Sequence, residues 1–225
     1  MMLKPETALV CDGLFPYLLV RYDYKNYDDI KDDLIKHIYK LHKSDPEGQV
    51  KSNFGGWHSC DNPTQNGIPQ MYIDYIIHGL HLFAPCKLLN WLVNINTPGT
   101  LNRSHCHPGA DLSGVFWVKI PPDSGQIAFR NPNEYTQFNL MTYAPQELQE
   151  DFHLYAMRRM DAQDGAGLLF PADLVHQVEM NQSQEDRISI SFNLKFEDTN
   201  GGSQRKSEGS KPNPNFLQNS TPINS

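Results

Sequence analysis

The sequence predicts a mainly β fold, a jelly roll of two facing antiparallel sheets with flanking α-helices, and three observations carry that prediction. Apolar residues at helical spacing are confined to the first 85 positions. From Cys86 onward the apolar period becomes that of strands. Turn-forming clusters then cut 86–196 into about eight short segments, which two sheets around a cavity can accommodate.

Leu14 to Tyr22 reads as an opening strand, and Asn26 is placed to cap a helix whose apolar residues Ile30, Leu34, Ile35, Ile38 and Leu41 share one stripe. His37 and His42 ride on it without a local ligand cluster. A glycine-rich loop, KSNFGGWHS at 51–59, follows. The second helix begins near Pro69, carries Met71, Ile73, Ile76, Ile77, Leu80 and Phe83, and stops at Pro85. Leu89, Trp91, Val93 and Ile95 then alternate with Leu88, Asn90, Leu92, Asn94 and Asn96. Strands are expected near 88–97, 102–107, 113–120, 126–130, 154–160, 167–171, 175–180 and 186–196, separated by signals such as Pro98-Gly99, Pro108-Gly109, Asp123-Ser124-Gly125 and Asp164-Gly165. Residues 131–153 are long for a connection and could cover a site mouth. The domain expected is single, over 1–196, with a strand and helices in 1–85 and the jelly-roll core in 86–196. The segment 197–225, rich in Gly, Ser, Asn and Pro, reads as a disordered tail.

Composition narrows the function. The formal charge is -7 and no basic run occurs, which argues against nucleic acid as the main partner. No apolar run approaches the roughly 20 residues needed to span a bilayer, and Met1 to Val10 has no secretory signal pattern, so a cytoplasmic protein is expected. The four cysteines lack CxxC spacing and read as free thiols. Cys106, between two histidines, should point away from both as a small buried filler.

His105 and His107, two apart on an extended strand, put both imidazoles on one face, and His176 on a later strand can close a three-point metal site with positions left open. All three stand at predicted strand ends, where a cavity mouth could gather them. Eleven residues after His176 comes Arg187, on the same alternating face as Ser189, Ser191 and Asn193. If that face lines the cavity, Arg187 is inside; otherwise it is a surface arginine beside Glu185 and Asp186. An inward guanidinium suits a metal chelator with a distal carboxylate, for which 2-oxoglutarate is the natural candidate.

The stretch HCHPGADLSGVFWVKIPPDSGQIAF, with the later GLLFPADLVHQVEMNQSQEDRISISFN, resembles the double-stranded β-helix core of the iron(II)- and 2-oxoglutarate-dependent oxygenases, most of all a prolyl-hydroxylase-like group met in phages and marine bacteria. The resemblance covers roughly 88–196, and SNFGGWHS matches the group in style. It implies Fe(II), 2-oxoglutarate and O2 as cofactor and cosubstrates, hydroxylation of a substrate with release of succinate and CO2, and a peptide or protein as a plausible substrate; a phage origin would place it in the host cytoplasm. The family's first ligands form His-x-Asp/Glu, and here the carboxylate position is His107. Two models remain: His105, His107 and His176 together, or Asp111 replacing one of the pair. The resemblance gives Arg187 the distal carboxylate with Ser189 as its partner. It also brings forward Trp117, as an indole donor or a core residue; Asn94 and Asn96, at the end of the first core strand near Gly99, are read as ligand contacts or turn residues from their position.

Two other classes compete. A cupin-like metalloenzyme would use three histidines without 2-oxoglutarate and give Arg187 and Ser189 no shared duty. A non-catalytic jelly-roll module would bind no specific metal. Phe54, Trp57, Tyr135, Phe138 and Tyr143 either flank the mouth or pack on the domain.

Overall fold

The computed structural model describes residues 17–62, 67–83 and 85–197. Eleven strands and four helices follow in the order β1 Val20–Asp23, α1 Asp28–Ser44, β2 Asn53–Phe54, β3 Trp57–His58, α2 Gln70–Phe83, β4 Cys86–Asn96, β5 Leu101–His105, β6 Leu112–Lys119, β7 Ile127–Arg130, α3 Phe138–Tyr143, α4 Gln146–Asp151, β8 Met157–Met160, β9 Ala166–Pro171, β10 His176–Val178 and β11 Arg187–Phe196. The strands form a larger sheet, β1-β9-β6-β11-β4-β3, and a smaller one, β2-β5-β10-β7-β8, all with antiparallel neighbours. This is the jelly roll expected from the alternating pattern.

The outer face of the larger sheet is apolar because α1 and α2 cover it. Leu34, Ile38 and Leu41 of α1 and Ile73 and Ile76 of α2 pack with Val93, Ile95, Phe116, Val118, Ile188, Ile190 and Phe192. The alternate residues face the smaller sheet. There Val115, Trp117, Leu168 and Phe170 meet Ile127 and Phe129 in a second apolar cluster. The remainder of this inner face is polar and buried, with His58, Asn94, Asn96, Arg187 and Ser189. A β-sandwich whose inner face is polar on one side is built to hold something there.

Several expectations need correction. Asn26 does not cap α1: the capping position is Tyr27, without a side-chain bond, and the Asn26 side-chain Oδ1 accepts from the Tyr75 hydroxyl at 3.0 Å. The glycine-rich loop contains β2 and β3. These two-residue strands belong to different sheets, β2 pairing with β5 and β3 with β4. Gly55 and Gly56 between them have φ of 67° and 64°, and a Cβ on Gly56 would lie 2.6 Å from the Ile95 carbonyl, so the corner needs glycine. Residues 131–153 hold α3 and α4. Cys106 is exposed, not buried, because β5 ends at His105. Trp57 is buried and its indole donates to the Asp45 carbonyl at 2.7 Å, whereas Phe54, Tyr135, Phe138 and Tyr143 are exposed. The start of the expected opening strand and nearly all of the expected tail lie outside the described residues. Among those described, no helix is long and apolar enough to cross a membrane.

Candidate functional site

The histidines come together. One nitrogen from each of His105, His107 and His176 lies within 4.8 Å of the others, and the Nε2 atoms of His107 and His176 are 3.4 Å apart. His176 stands directly opposite His105 in the β10–β5 ladder. Their ring centroids are 4.4 Å apart. His107 lies beyond the end of β5, in the turn, where its backbone N–H donates to the Ala172 carbonyl at 2.8 Å. It reaches the group from a loop, not from the same strand face.

Backbone carbonyls set the tautomers of two rings. His105 Nδ1 lies 2.7 Å from the Arg103 carbonyl and His176 Nδ1 lies 2.9 Å from that of Leu174. A carbonyl can only accept, so in each neutral ring Nδ1 carries the proton and Nε2 keeps a lone pair for a metal. Burial also favours the neutral rings: desolvation lowers the pKa of His105, takes His107 down to about 4 and His176 to about 3. Neutral imidazoles are metal ligands, not acid–base groups, at neutral pH.

Among the described residues no carboxylate joins them. Both oxygens of Asp111 serve β11, one accepting from the Phe196 backbone N–H at 2.8 Å and the other facing Lys195 Nζ at 3.4 Å. Among the described residues the ligand group is three histidines.

Arg187 is 1% exposed, at the start of β11 and in register with Asn96 on β4. Its Nη1 donates to Asn96 Oδ1 at 3.5 Å, while Nε and Nη2 are buried with no acceptor among the described residues. Burial pushes its pKa down to about 10, which still leaves a cation at neutral pH. A buried guanidinium with two unanswered donors fits a carboxylate ligand. Ser189 is buried one inward position along and faces Trp117 on β6 and Asn94 on β4. The Trp117 indole nitrogen is buried without a partner among the described residues, and the Asn94 amide donates to Ser191 Oγ at 2.9 Å.

Two further inward residues lie outside the set the sequence points to. His58 follows the glycine corner on β3, in register with Asn94, and is 3% exposed. Its Nε2 lies 3.1 Å from Asn102 Nδ2, and Asn102 Oδ1 accepts from Asn96 Nδ2 at 2.8 Å. Asn102 faces inward because the β5–β10 ladder slips: His176 pairs with His105 and Val178 with Asn102, three residues on β5 against two on β10. Such a bulge places Asn102 and His105 on one face, which strict alternation forbids. The signal for His58 was the SNFGGWHS match; for Asn102 no simple pattern existed.

The comparisons bear on the family and the fold. The model of the family described as "Putative 2OG-Fe(II) oxygenase" matches residues 90–193. No curated protein matches the sequence. Among solved structures, the α-ketoglutarate-dependent carbocyclase SnoK from nogalamycin biosynthesis is 12% identical with a TM-score of 0.58, over 80% of each chain. A Pseudomonas putida prolyl-4-hydroxylase is 12% identical with a TM-score of 0.55, over 80% of this chain and 94% of its own. HygX from Streptomyces hygroscopicus, solved with nickel and 2-oxoglutarate bound, is 11% identical with a TM-score of 0.54, over 84% and 88%. At such identities the likeness concerns the fold, the double-stranded β-helix. The matched stretch, residues 90–193, holds all three histidines and Arg187 and is similar to the 2-oxoglutarate and iron(II) oxygenase family.

Proposed function

We propose that this protein is a non-haem iron(II)- and 2-oxoglutarate-dependent dioxygenase that hydroxylates its substrate with release of succinate and CO2. The observation that carries the reading is Arg187, a wholly buried cation whose Nε and Nη2 have no acceptor among the described residues. Leaving such donors unpaired is costly, so the site is shaped for an anion that supplies the acceptors.

The donor set suits the group. His105, His107 and His176 would hold Fe(II) through neutral imidazoles, and Arg187 with Ser189 would take the distal carboxylate of 2-oxoglutarate. When bound, iron with 2-oxoglutarate and O2 supplies the oxidation of a substrate C–H bond, coupled to loss of CO2 from the cosubstrate. The protein's residues position and shield. The Arg103 and Leu174 carbonyls fix two imidazole tautomers. The inner-face cluster of Val115, Trp117, Leu168 and Phe170 keeps one side of the cavity dry. No side chain is required as a general acid or base, consistent with three histidines that stay neutral.

A peptide is the substrate class we favour. Tyr135, Phe138 and Tyr143 are exposed on and beside α3, and Phe54 is exposed on β2 with the Arg103 guanidinium 5.0 Å from its ring centroid. Exposed aromatic surface of this kind suits peptide binding. A Trichoplax adhaerens prolyl hydroxylase of the same fold, 12% identical with a TM-score of 0.54 over 79% of this chain and 83% of its own, was solved with a peptide fragment of hypoxia inducible factor.

The deciding measurement is conversion of 2-oxoglutarate to succinate across a panel of peptides, amino acids and nucleosides, paired with anaerobic spectra of the protein with Fe(II) and 2-oxoglutarate. A metal-to-ligand charge-transfer band and substrate-stimulated succinate are expected. Metal binding without any 2-oxoglutarate complex would favour the cupin-like reading, and absence of stoichiometric metal would favour a binding module.

A further inference from the structure

Arg187, Asn96, Asn102 and His58 form one chain of hydrogen bonds whose direction is set at one end. A guanidinium has donors only, so Asn96 must turn its oxygen to Arg187 Nη1. Its amide nitrogen therefore donates to Asn102 Oδ1 at 2.8 Å. That leaves Asn102 Nδ2 to donate to Ser52 Oγ at 3.2 Å and to His58 Nε2 at 3.1 Å. His58 Nε2 is thus an acceptor, and the proton of the neutral ring sits on Nδ1. His58 Nδ1 is buried and has no partner among the described residues.

Arg187 accounts for the far end of a dicarboxylate. His58 belongs to the other end, because its partner Asn102 and the candidate ligand His105 lie three residues apart on β5 and face inward together across the bulge. Across the larger sheet, His58, Asn94, Ser189 and Trp117 occupy one register row on four adjacent strands. His58 closes that row on the side of β3, where the glycine corner crosses to the smaller sheet.

Resting on the cosubstrate assignment above, we infer that His58 binds the iron-chelating end of 2-oxoglutarate, donating its Nδ1–H to the C1 carboxylate, and that Asn96 and Asn102 are positioning residues that hold it in this tautomer. The guanidinium that receives one carboxylate thereby also orients the donor offered to the other.

Two substitutions separate the nitrogens. In His58→Gln the side-chain amide can meet Asn102 from the Nε2 position but offers no donor at Nδ1; in His58→Asn the amide nitrogen falls near Nδ1. With the metal-loaded protein kept anaerobic, 2-oxoglutarate is titrated and the charge-transfer band recorded. His58→Gln is expected to bind iron at unchanged stoichiometry, weaken 2-oxoglutarate by about tenfold or more, as for a lost hydrogen bond to a charged group, and shift the band. His58→Asn should restore most of both. A His58→Gln protein with wild-type affinity and band, beside a wild-type protein that forms the complex, overturns the inference alone. A wild-type protein that forms no complex overturns the cosubstrate reading and this one with it. Should neither variant fold, imidazole nitrogen shifts of the wild-type protein decide: the Nδ1–H tautomer at His58 is expected, and an Nε2–H tautomer refutes the role.

Discussion

Arg187 and Asn96 face each other in register across the β11–β4 ladder, yet the single 3.5 Å bond between them leaves two of the three guanidinium nitrogens without an acceptor among the described residues. A cation so placed costs the apoprotein stability and would serve a bound carboxylate. Arg187→Met is therefore expected to leave the metal stoichiometry unchanged, to keep or raise the denaturation midpoint of the apoprotein, and to weaken 2-oxoglutarate by about 10- to 100-fold, the scale of charge-assisted hydrogen bonds. Arg187→Lys should recover only part of the affinity, since an ammonium keeps the charge and loses the fork. Calorimetric titration of 2-oxoglutarate into Mn(II)-loaded variants checks both, and unchanged affinity in Arg187→Met would remove the basis for the cosubstrate assignment.

Asp111 gives the matching control at the metal. Its carboxylate holds the end of β11 through the Phe196 N–H and Lys195, and it takes no part in the histidine group. Asp111→Ala should cost about 1 kcal/mol of stability, as for a lost hydrogen bond, and leave one metal per chain by elemental analysis. His176→Ala, in contrast, should abolish stoichiometric metal while the fold persists. Loss of metal in Asp111→Ala would restore the carboxylate to the ligand set.

What the sequence made legible follows physical regularity. Alternation located β4, β6 and β11 within a residue or two, because their outer faces pack on helices and their inner faces do not. The polar side of β11 was readable as a face, though its burial was not: Ser189 and Ser191 resemble a solvated strand edge until a second sheet covers them. The short strands β2 and β3 carry no period in two residues, so His58 was hidden inside a loop. Asn102 was hidden for a different reason. A bulge changes phase without changing composition, and His105 shares its face with a residue three positions back. His107 reaches the site by a turn held to Ala172, which i, i+2 spacing on a continuous strand did not anticipate.

The absence of a carboxylate from the candidate ligand group, among the described residues, would couple metal to cosubstrate. Three neutral imidazoles would leave a bound metal's charge unbalanced, and the 2-oxoglutarate dianion would balance it. Mn(II) is expected to bind at least tenfold tighter in the presence of saturating 2-oxoglutarate, and 2-oxoglutarate tighter with metal by the same factor, because binding coupling is reciprocal. Equal metal affinity with and without 2-oxoglutarate would contradict this balance.

The buried histidines also set a pH dependence whose sign can be worked out. Burial lowers His58 and His107 to about 4 and His176 to about 3, whereas in the unfolded chain each returns to about 6.5. Below about 6.5 the unfolded state therefore takes up protons that the folded state refuses, so stability falls as pH falls, down to the folded values. Between pH 6.5 and 5 few ordinary carboxylates titrate, which isolates the histidine contribution. Urea midpoints of the metal-free protein should decline steadily from pH 7 to pH 5, and a flat or rising profile would refute the burial of these rings. Saturating Mn(II) should raise every midpoint by nearly the same amount across that range, since the folded imidazoles are already free of protons and the metal has none to displace.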